Sequence, residues 1–359
     1  MSIPTINEVI SIVSSFFTIR AINQNDNALQ IEIEGTDIAD RFRNLVQKIE
    51  PWNLIARLDS KFEKIFITIT RFEQPKTRKA WLPRVLFAGT IATVMIDGYY
   101  RAISTNSIVK TGDPLNIAIL YTISLMGILG IHELGHIVAS KRHNLKTSWP
   151  YFIPGIPVFG FIPTFGAVIM SRGLIINRNI LFDVGISGPI AGLLVAIIVS
   201  TYGAYLSPLI PSSIAQELST KSGLVEMHSS ILMDATIGMV GKHVPGQELV
   251  MSPVLLAAWF GFLITFLNLL PAWQLDGGHI ARATLGFKWH RILTWVSIGI
   301  LAATGYYVMA LFVLMFSMRS PDIRPLDDIS PLSARRRKLF VLIMIVAFLC
   351  APLPFSILP

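Results

Sequence analysis

Two patterns of apolar positions divide this chain, and the border falls near residue 80. Before it, INEVISIVSSFF has helical spacing and ALQIEIEG alternates as a strand does. DIADRFRNLVQKI carries an apolar stripe with a period near 3.6, and LIARLDS and KIFITITRF alternate again. This order predicts a small soluble α/β unit of β-α-β-β type over residues 1–80, ending in the linker EQPKTRKAWLPR. Beyond it lie six long apolar runs, at 84–103, 115–140, 180–206, 253–273, 289–317 and 338–355. A membrane-crossing helix needs about 20 predominantly apolar residues, so each run reads as a span. The stretch SWPYFIPGIPVFGFIPTFGAVIMS is also apolar, but Pro150, Pro154, Pro157 and Pro163 rule out a regular helix. It is expected as a re-entrant or interfacial loop, tolerated at membrane depth only under cover of protein or a water cavity. Residues 207–252 form a mixed polar and amphipathic connection.

Composition supports the membrane reading. Of 359 residues, 52% are hydrophobic and only 14% charged, with a mean hydropathy of +0.59, against about 25% charged in a soluble domain. The net charge is +8, with basic residues gathered beside apolar runs at Lys76–Arg84, Lys141–Lys146 and Arg335–Lys338. Such flanks suit a membrane surface and give no reason to expect a nucleic-acid partner. The single cysteine, Cys350, excludes a disulfide within the chain. MSIPTINEVISIVSSFF has no basic n-region or small-residue cleavage site, so a removable signal peptide is not expected. The basic flank before the first span places the N-terminal unit in the cytoplasm. With six spans, Arg335–Lys338 then lies on the outer side, against the same rule.

The chemistry sits where apolar runs are interrupted. In GIHELGHIVA, His132 and His136 are four apart and share a helix face. Two neutral imidazoles at that spacing can reach one zinc ion, and Glu133 beside them is placed to take a proton from water. A catalytic zinc takes three protein ligands and keeps an open position. In FLNLLPAWQLDGGHIARA, Pro271 breaks the helix and Gly277 and Gly278 follow, freeing Asp276 to turn toward the same depth as the third ligand. Ionisable groups inside membrane segments are costly and mark function.

HELGH on one helix, followed by Asn268, Pro271, Leu275, Asp276 and Gly277 on another, resembles the site-2 protease family of intramembrane zinc metalloproteases. GISGPIAG at 185–192 is similar to that family's small-residue helix. PYFIP, TFGAVI and NRNILFDVGISGPIAG resemble its branch of chloroplast proteases named for ethylene-dependent gravitropism deficiency and a yellow-green phenotype. The resemblance implies a mainly α, polytopic membrane protein with about six transmembrane helices and a re-entrant β-like loop, plus the small N-terminal α/β unit. Residues 81–359 would form the membrane-embedded protease domain. It implies one Zn2+ per chain on His132, His136 and Asp276, Glu133 as acid/base, and Asn268 holding the oxyanion. The expected reaction is hydrolysis of peptide bonds within or near transmembrane segments, in regulated intramembrane proteolysis. Partners would be transmembrane substrates and the bilayer, in the plasma membrane, with a homo-oligomer left open. No PDZ-like or CBS-like module is recognisable.

Rival readings fit less well. A metal transporter needs a polar path on both sides, and the outer halves of these spans are almost wholly apolar. A silent relative would lack a ligand or the base, and all four are present. FGAVIM, 165–170, is expected as an edge strand able to pair with extended substrate. His143 and His290 read as solvated, His228 and His243 as outer-side residues, His279 as a surface group, and Asp97 as a marker of the outer interface.

Overall fold

The computed structural model describes residues 4–25, 28–72, 81–145, 147–156, 163–168, 174–222, 227–319 and 324–352. Lys76, Arg78, Lys79, Lys146, Pro157, Ile169 and Met170, which entered the linker, flank and loop expectations, lie outside them.

The N-terminal unit opens with α1 (Ile6–Ser14), whose start is closed by a capping box in which the Thr5 N–H donates to Glu8 at 2.7 Å. Strands β1 (Thr18–Asn25), β2 (Ala28–Glu34), β3 (Leu54–Lys61) and β4 (Lys64–Arg71) form one antiparallel sheet in the order β1-β2-β4-β3. In the β2–β4 and β3–β4 registers, Ile31 and Leu58 both sit opposite Ile67. The alternating apolar positions therefore share one face, and α2 (Ile38–Ile49) covers it with Phe42, Leu45 and Ile49. The unit is α-β-β-α-β-β. The first strand was not expected, because TIRAINQN lies at the sheet edge, mostly exposed, and carries little apolar alternation.

The rest of the chain is mostly helical. Helices α3 (Leu82–Ile108), α4 (Pro114–Arg142), α5 (Arg178–Leu206) and α8 (Pro253–Leu269) follow the first four apolar runs. Of all the described helices, α4 and α5 are long and apolar enough to cross a membrane by length and composition. On α4 and α5, Ile123, Leu194 and Ile198 are 64%, 60% and 67% exposed, an outward apolar surface that water would penalise. Small residues let these helices approach. A Cβ added at Gly135 of α4 would lie 2.5 Å from the Ser187 carbonyl oxygen of α5, and one at Gly203 of α5 would lie 2.5 Å from the Leu255 nitrogen of α8.

The proline-rich stretch forms a short hairpin of β5 (Tyr151–Pro154) and β6 (Thr164–Val168), tied by Gly155 N–H to the Pro163 carbonyl at 3.0 Å. It rests on α3, with the Phe87 and Phe152 ring centroids 5.1 Å apart. The connection at 207–252 contains α6 (Ser212–Ser222), α7 (Ile231–Met239) and the short pair β7 (Leu209–Pro211) and β8 (Gln247–Leu249).

The expected single span at 289–317 is two helices. Helix α9 (Asp276–Ala303) is broken at Gly286, where φ is 80° and ψ −177°, a conformation open chiefly to glycine. After Ala303 the chain turns through Thr304, Gly305 (φ 85°) and Tyr306 into α10 (Tyr307–Arg319). Trp273 shows that α10 runs back along α9. Its backbone N–H donates to the Thr294 hydroxyl of α9 at 3.0 Å, while its ring meets Phe312 and Phe316 of α10 at 6.0 and 5.5 Å. The two halves form a helical hairpin that returns the chain to the side it left.

A strap then joins the two parts. Leu326 and Asp327 N–H groups donate to the Ile175 and Ile176 carbonyls at 2.9 and 2.7 Å, and the Leu58 N–H of β3 donates to the Leu326 carbonyl at 2.8 Å. Arg324 pairs with Asp59 of β3. Asp328 accepts from Arg178 of α5 at 3.1 Å and, through both oxygens, from Arg282 of α9 at 3.0 and 2.7 Å. Burial would raise the Asp328 carboxyl, but Arg282 and Arg178 outweigh it and hold the group below the usual carboxylate range. Helix α11 (Ala334–Cys350) begins beside this strap, where the Ser333 N–H donates to Asn179 at 3.2 Å and Arg336 grips Asp183 of α5 at 2.6 and 2.7 Å.

Candidate metal centre

His132 and His136 lie one turn apart on α4, and Asp276 opens α9 just after the helix break at Pro271. The sequence dictates that approach. A Cβ on Gly277 would overlap the Leu269 carbonyl and one on Gly278 the Trp273 carbonyl, so only glycine lets α9 start so close to its own turn. The carboxylate also sits in the first turn of α9, where the helix dipole favours negative charge.

Three side-chain atoms converge. His132 Nε2 and His136 Nε2 are 3.2 Å apart, and Asp276 Oδ2 lies 3.2 Å from the first and 3.3 Å from the second. A tetrahedral zinc with bonds of about 2.0–2.1 Å separates its ligands by ~3.3–3.4 Å. The triangle has the edges that such an ion requires, and its two imidazoles and one carboxylate are a donor set of the catalytic kind.

The surroundings hold the imidazoles in place. His136 Nδ1 meets the Val184 carbonyl of α5 at 2.8 Å. When Nδ1 carries the proton and donates, Nε2 keeps its lone pair for a metal. Helix α5 contributes a floor without side chains: a Cβ on Gly188 would overlap the His136 ring, and one on Gly192 would lie 3.0 Å from the His132 Cβ. Gly185 likewise leaves room for the Asp276 carbonyl, 3.1 Å from where its Cβ would be. Pro189 lies inside α5 and lacks an N–H for the Gly185 carbonyl, loosening the helix beside the site. Glu133, 7% exposed, is on the same turn of α4, and Asn268 of α8 brings its Nδ2 within 3.4 Å of His132 Nε2. Of the five residues expected at the site, His132, His136 and Asp276 converge, Asn268 lies beside them, and Glu133 is buried on the same turn of α4. The Val184 carbonyl was not foreseen, and no sequence signal marks a backbone acceptor.

Other residues depart from expectation. His290 is buried, with Nε2 3.0 Å from the Trp273 carbonyl, and His143 pairs with Asp183 at 3.0 Å; neither is a freely solvated group. Asp97 is buried within the protein: Arg101 donates to it at 2.6 Å, as does the Tyr121 hydroxyl of α4 at 2.7 Å, joining α3 to α4. His279 is partly buried against Gly185.

Three ligand atoms able to hold one metal ion, carried on apolar helices, are therefore what fold and geometry define. The model of peptidase family M50, the site-2 protease family, matches residues 120–313, more than half of the chain, and the chain belongs to that family. The family is one of membrane-associated zinc metallopeptidases, and the three converging side chains of this chain could hold such an ion.

Among curated proteins it is 30% identical over 240 residues to the probable zinc metalloprotease EGY2, chloroplastic, of Arabidopsis thaliana, covering 64% of this chain and 41% of that one. It is 31% identical over 243 residues to EGY2 of Oryza sativa subsp. indica, covering 65% and 42%. With the probable zinc metalloprotease EGY1 of Arabidopsis thaliana it shares 28% over 232 residues, covering 63% and 41%. The chain thus spans about two fifths of the length of these relatives. Their names are chloroplastic and lend no support to a plasma-membrane location. No solved structure matches the chain.

Proposed function

We propose that the chain cleaves peptide bonds within or near the transmembrane segments of membrane-anchored proteins, as in regulated intramembrane proteolysis. One observation carries this reading: His132, His136 and Asp276 meet within 3.3 Å of one another at the level of Gly188 and Gly192 on α5. Those glycines are ten and fourteen residues from Arg178, ~15–21 Å along a helix whose 29 residues measure ~43 Å. That depth lies inside a hydrocarbon core about 30 Å thick.

His132, His136 and Asp276 would hold one zinc ion, which when bound supplies a Lewis acid that polarises the scissile carbonyl and acidifies water. Glu133 takes the proton from the attacking water and passes it to the leaving amine. Asn268, beside the ligand cluster, donates a hydrogen bond to the developing oxyanion. A helical substrate shields its carbonyls by i to i−4 hydrogen bonds and must unwind first. In β6, whose described pairing is with β5 on one side, a further edge is offered to extended peptide.

The hairpin supports one topology. We place α3, α4, α5, α8 and α11 across the bilayer and let the α9–α10 hairpin re-enter from the inner side, in place of a sixth crossing. Arg335–Lys338 then lies inside with the other basic flanks, which removes the conflict with charge asymmetry. Residues 1–80 form a cytoplasmic unit held to the inner ends of α5 and α9 by the strap at 324–333. The strap's bonds to β3, Ile175 and Ile176 support that arrangement.

The test is cleavage of a model transmembrane substrate by the purified chain, with and without a chelator. Cleavage should vanish with chelator, return with zinc, and fall sharply in Glu133→Gln. Wild-type rates in that variant would refute the mechanism.

A further inference from the structure

On the outward face of α4, away from the metal ligands, runs a groove of about 630 Å³ between α4 and α5, within the volume range of ligand sites. Its upper walls are apolar. Ile131, Leu134 and Val138 form one stripe of α4, 39%, 47% and 44% exposed, and face Ile186 and Ala191 of α5. Its lower mouth is polar and holds Arg142, His143 and Asp183. The charge of Asp183 is already matched by Arg336 at 2.6 and 2.7 Å, and His143 Nε2 lies 3.0 Å from the same carboxylate. Arg142 and the adjacent Lys141 have no ion-pair partner among the described residues. The mouth therefore presents unmatched positive charge directly below an apolar channel.

We propose that this groove binds one anionic phospholipid of the inner leaflet, its acyl chain along Leu134, Val138 and Ala191 and its phosphate at Arg142. The proposal rests on the membrane reading above. Basic pockets between membrane helices on the cytoplasmic side suit anionic head groups, and an apolar wall above the charge suits a chain better than a soluble phosphate. A peptide substrate fits the groove poorly. The close contact of Gly135 with the Ser187 carbonyl closes its floor, and its lining includes none of His132, Glu133, His136, Asn268 or Asp276. A lipid seated there would brace α4 against α5, the helices that carry the ligands and their glycine floor.

The experiment is native mass spectrometry of the full chain released from nanodiscs of equal phosphatidylglycerol and phosphatidylcholine. The wild-type chain should retain one phosphatidylglycerol in preference to phosphatidylcholine. Arg142→Gln should retain it about fivefold more weakly, the loss expected for one interfacial charge. Ala191→Trp, which fills the channel, should remove retention of either lipid. Soluble glycerol phosphate should not displace the bound lipid. Equal retention of both lipids, wild-type retention by Arg142→Gln, or displacement by glycerol phosphate would each overturn the proposal. If Ala191→Trp does not fold, Arg142→Gln decides alone. Retention is read without any cleavage, so a chain that selects phosphatidylglycerol but cuts nothing would sink the protease reading and leave this one standing. A chain soluble without detergent would overturn both.

Discussion

Gly188 of α5 lies so close to the His136 imidazole that a single added methyl group would overlap the ring. The metal centre thus depends on an atom that is absent. Gly188→Ala should gain about 1 kcal/mol of helix propensity, yet displace His136 and lower the bound zinc well below one ion per chain. Metal analysis beside circular dichroism checks this; full zinc loading with unchanged helicity would show that α5 has room to yield.

Removing the base separates binding from chemistry. Glu133→Gln keeps the shape of the side chain and leaves His132, His136 and Asp276 in place, so zinc content should match wild type. Turnover of a transmembrane substrate should fall by about 10²–10⁴-fold, the range of acid–base contributions.

Asn268 approaches the cluster from α8, with its Nδ2 3.4 Å from His132 Nε2. If it serves the oxyanion, Asn268→Ala should lower kcat by about 10²–10³ with zinc retained. A change confined to KM would move Asn268 from the reaction to substrate positioning.

The strap makes a prediction about pH. Asp328 is held below the usual carboxylate range, so its contribution to stability is present above the unfolded value of about 3.9 and is lost as pH falls through the folded value. Asp328→Asn should lower the Tm of the solubilised protein at pH 7, and the gap to wild type should narrow progressively as pH falls below about 3.9. A gap that persists at low pH would assign the loss to packing around Arg282 instead of to charge.

The hairpin can be located by labelling. In a Cys350→Ser background, Arg335→Cys and Asp40→Cys should react with an impermeant maleimide from the same side of sealed vesicles. Labelling from opposite sides would restore six crossings.

What was legible in the sequence, and what was not, follows from locality. His132, Glu133 and His136 could be read because helix geometry alone puts them together, and Asp276 because Pro271, Gly277 and Gly278 frame a carboxylate where an apolar run breaks. The helical stripe of Phe42, Leu45 and Ile49 and the alternation around Ile31 and Ile67 were equally plain. The hairpin was not, because Thr304 and Gly305 are tolerable inside an apolar helix and only packing of Trp273 against Thr294 and Phe316 reveals the reversal. The roles of Gly188 and Gly192 depend on what α4 places against them, and a glycine carries no pattern for its partner. The link that Asp97 makes between α3 and α4 was hidden because one of its donors, Tyr121, comes from the next helix.

Zinc analysis of the purified chain, wild type against Asp276→Ala, bears most directly on the joining of α4 and α9 around one ion. One zinc per chain in the wild type and almost none in Asp276→Ala is the predicted result. Full zinc in Asp276→Ala, or none in the wild type, would contradict it.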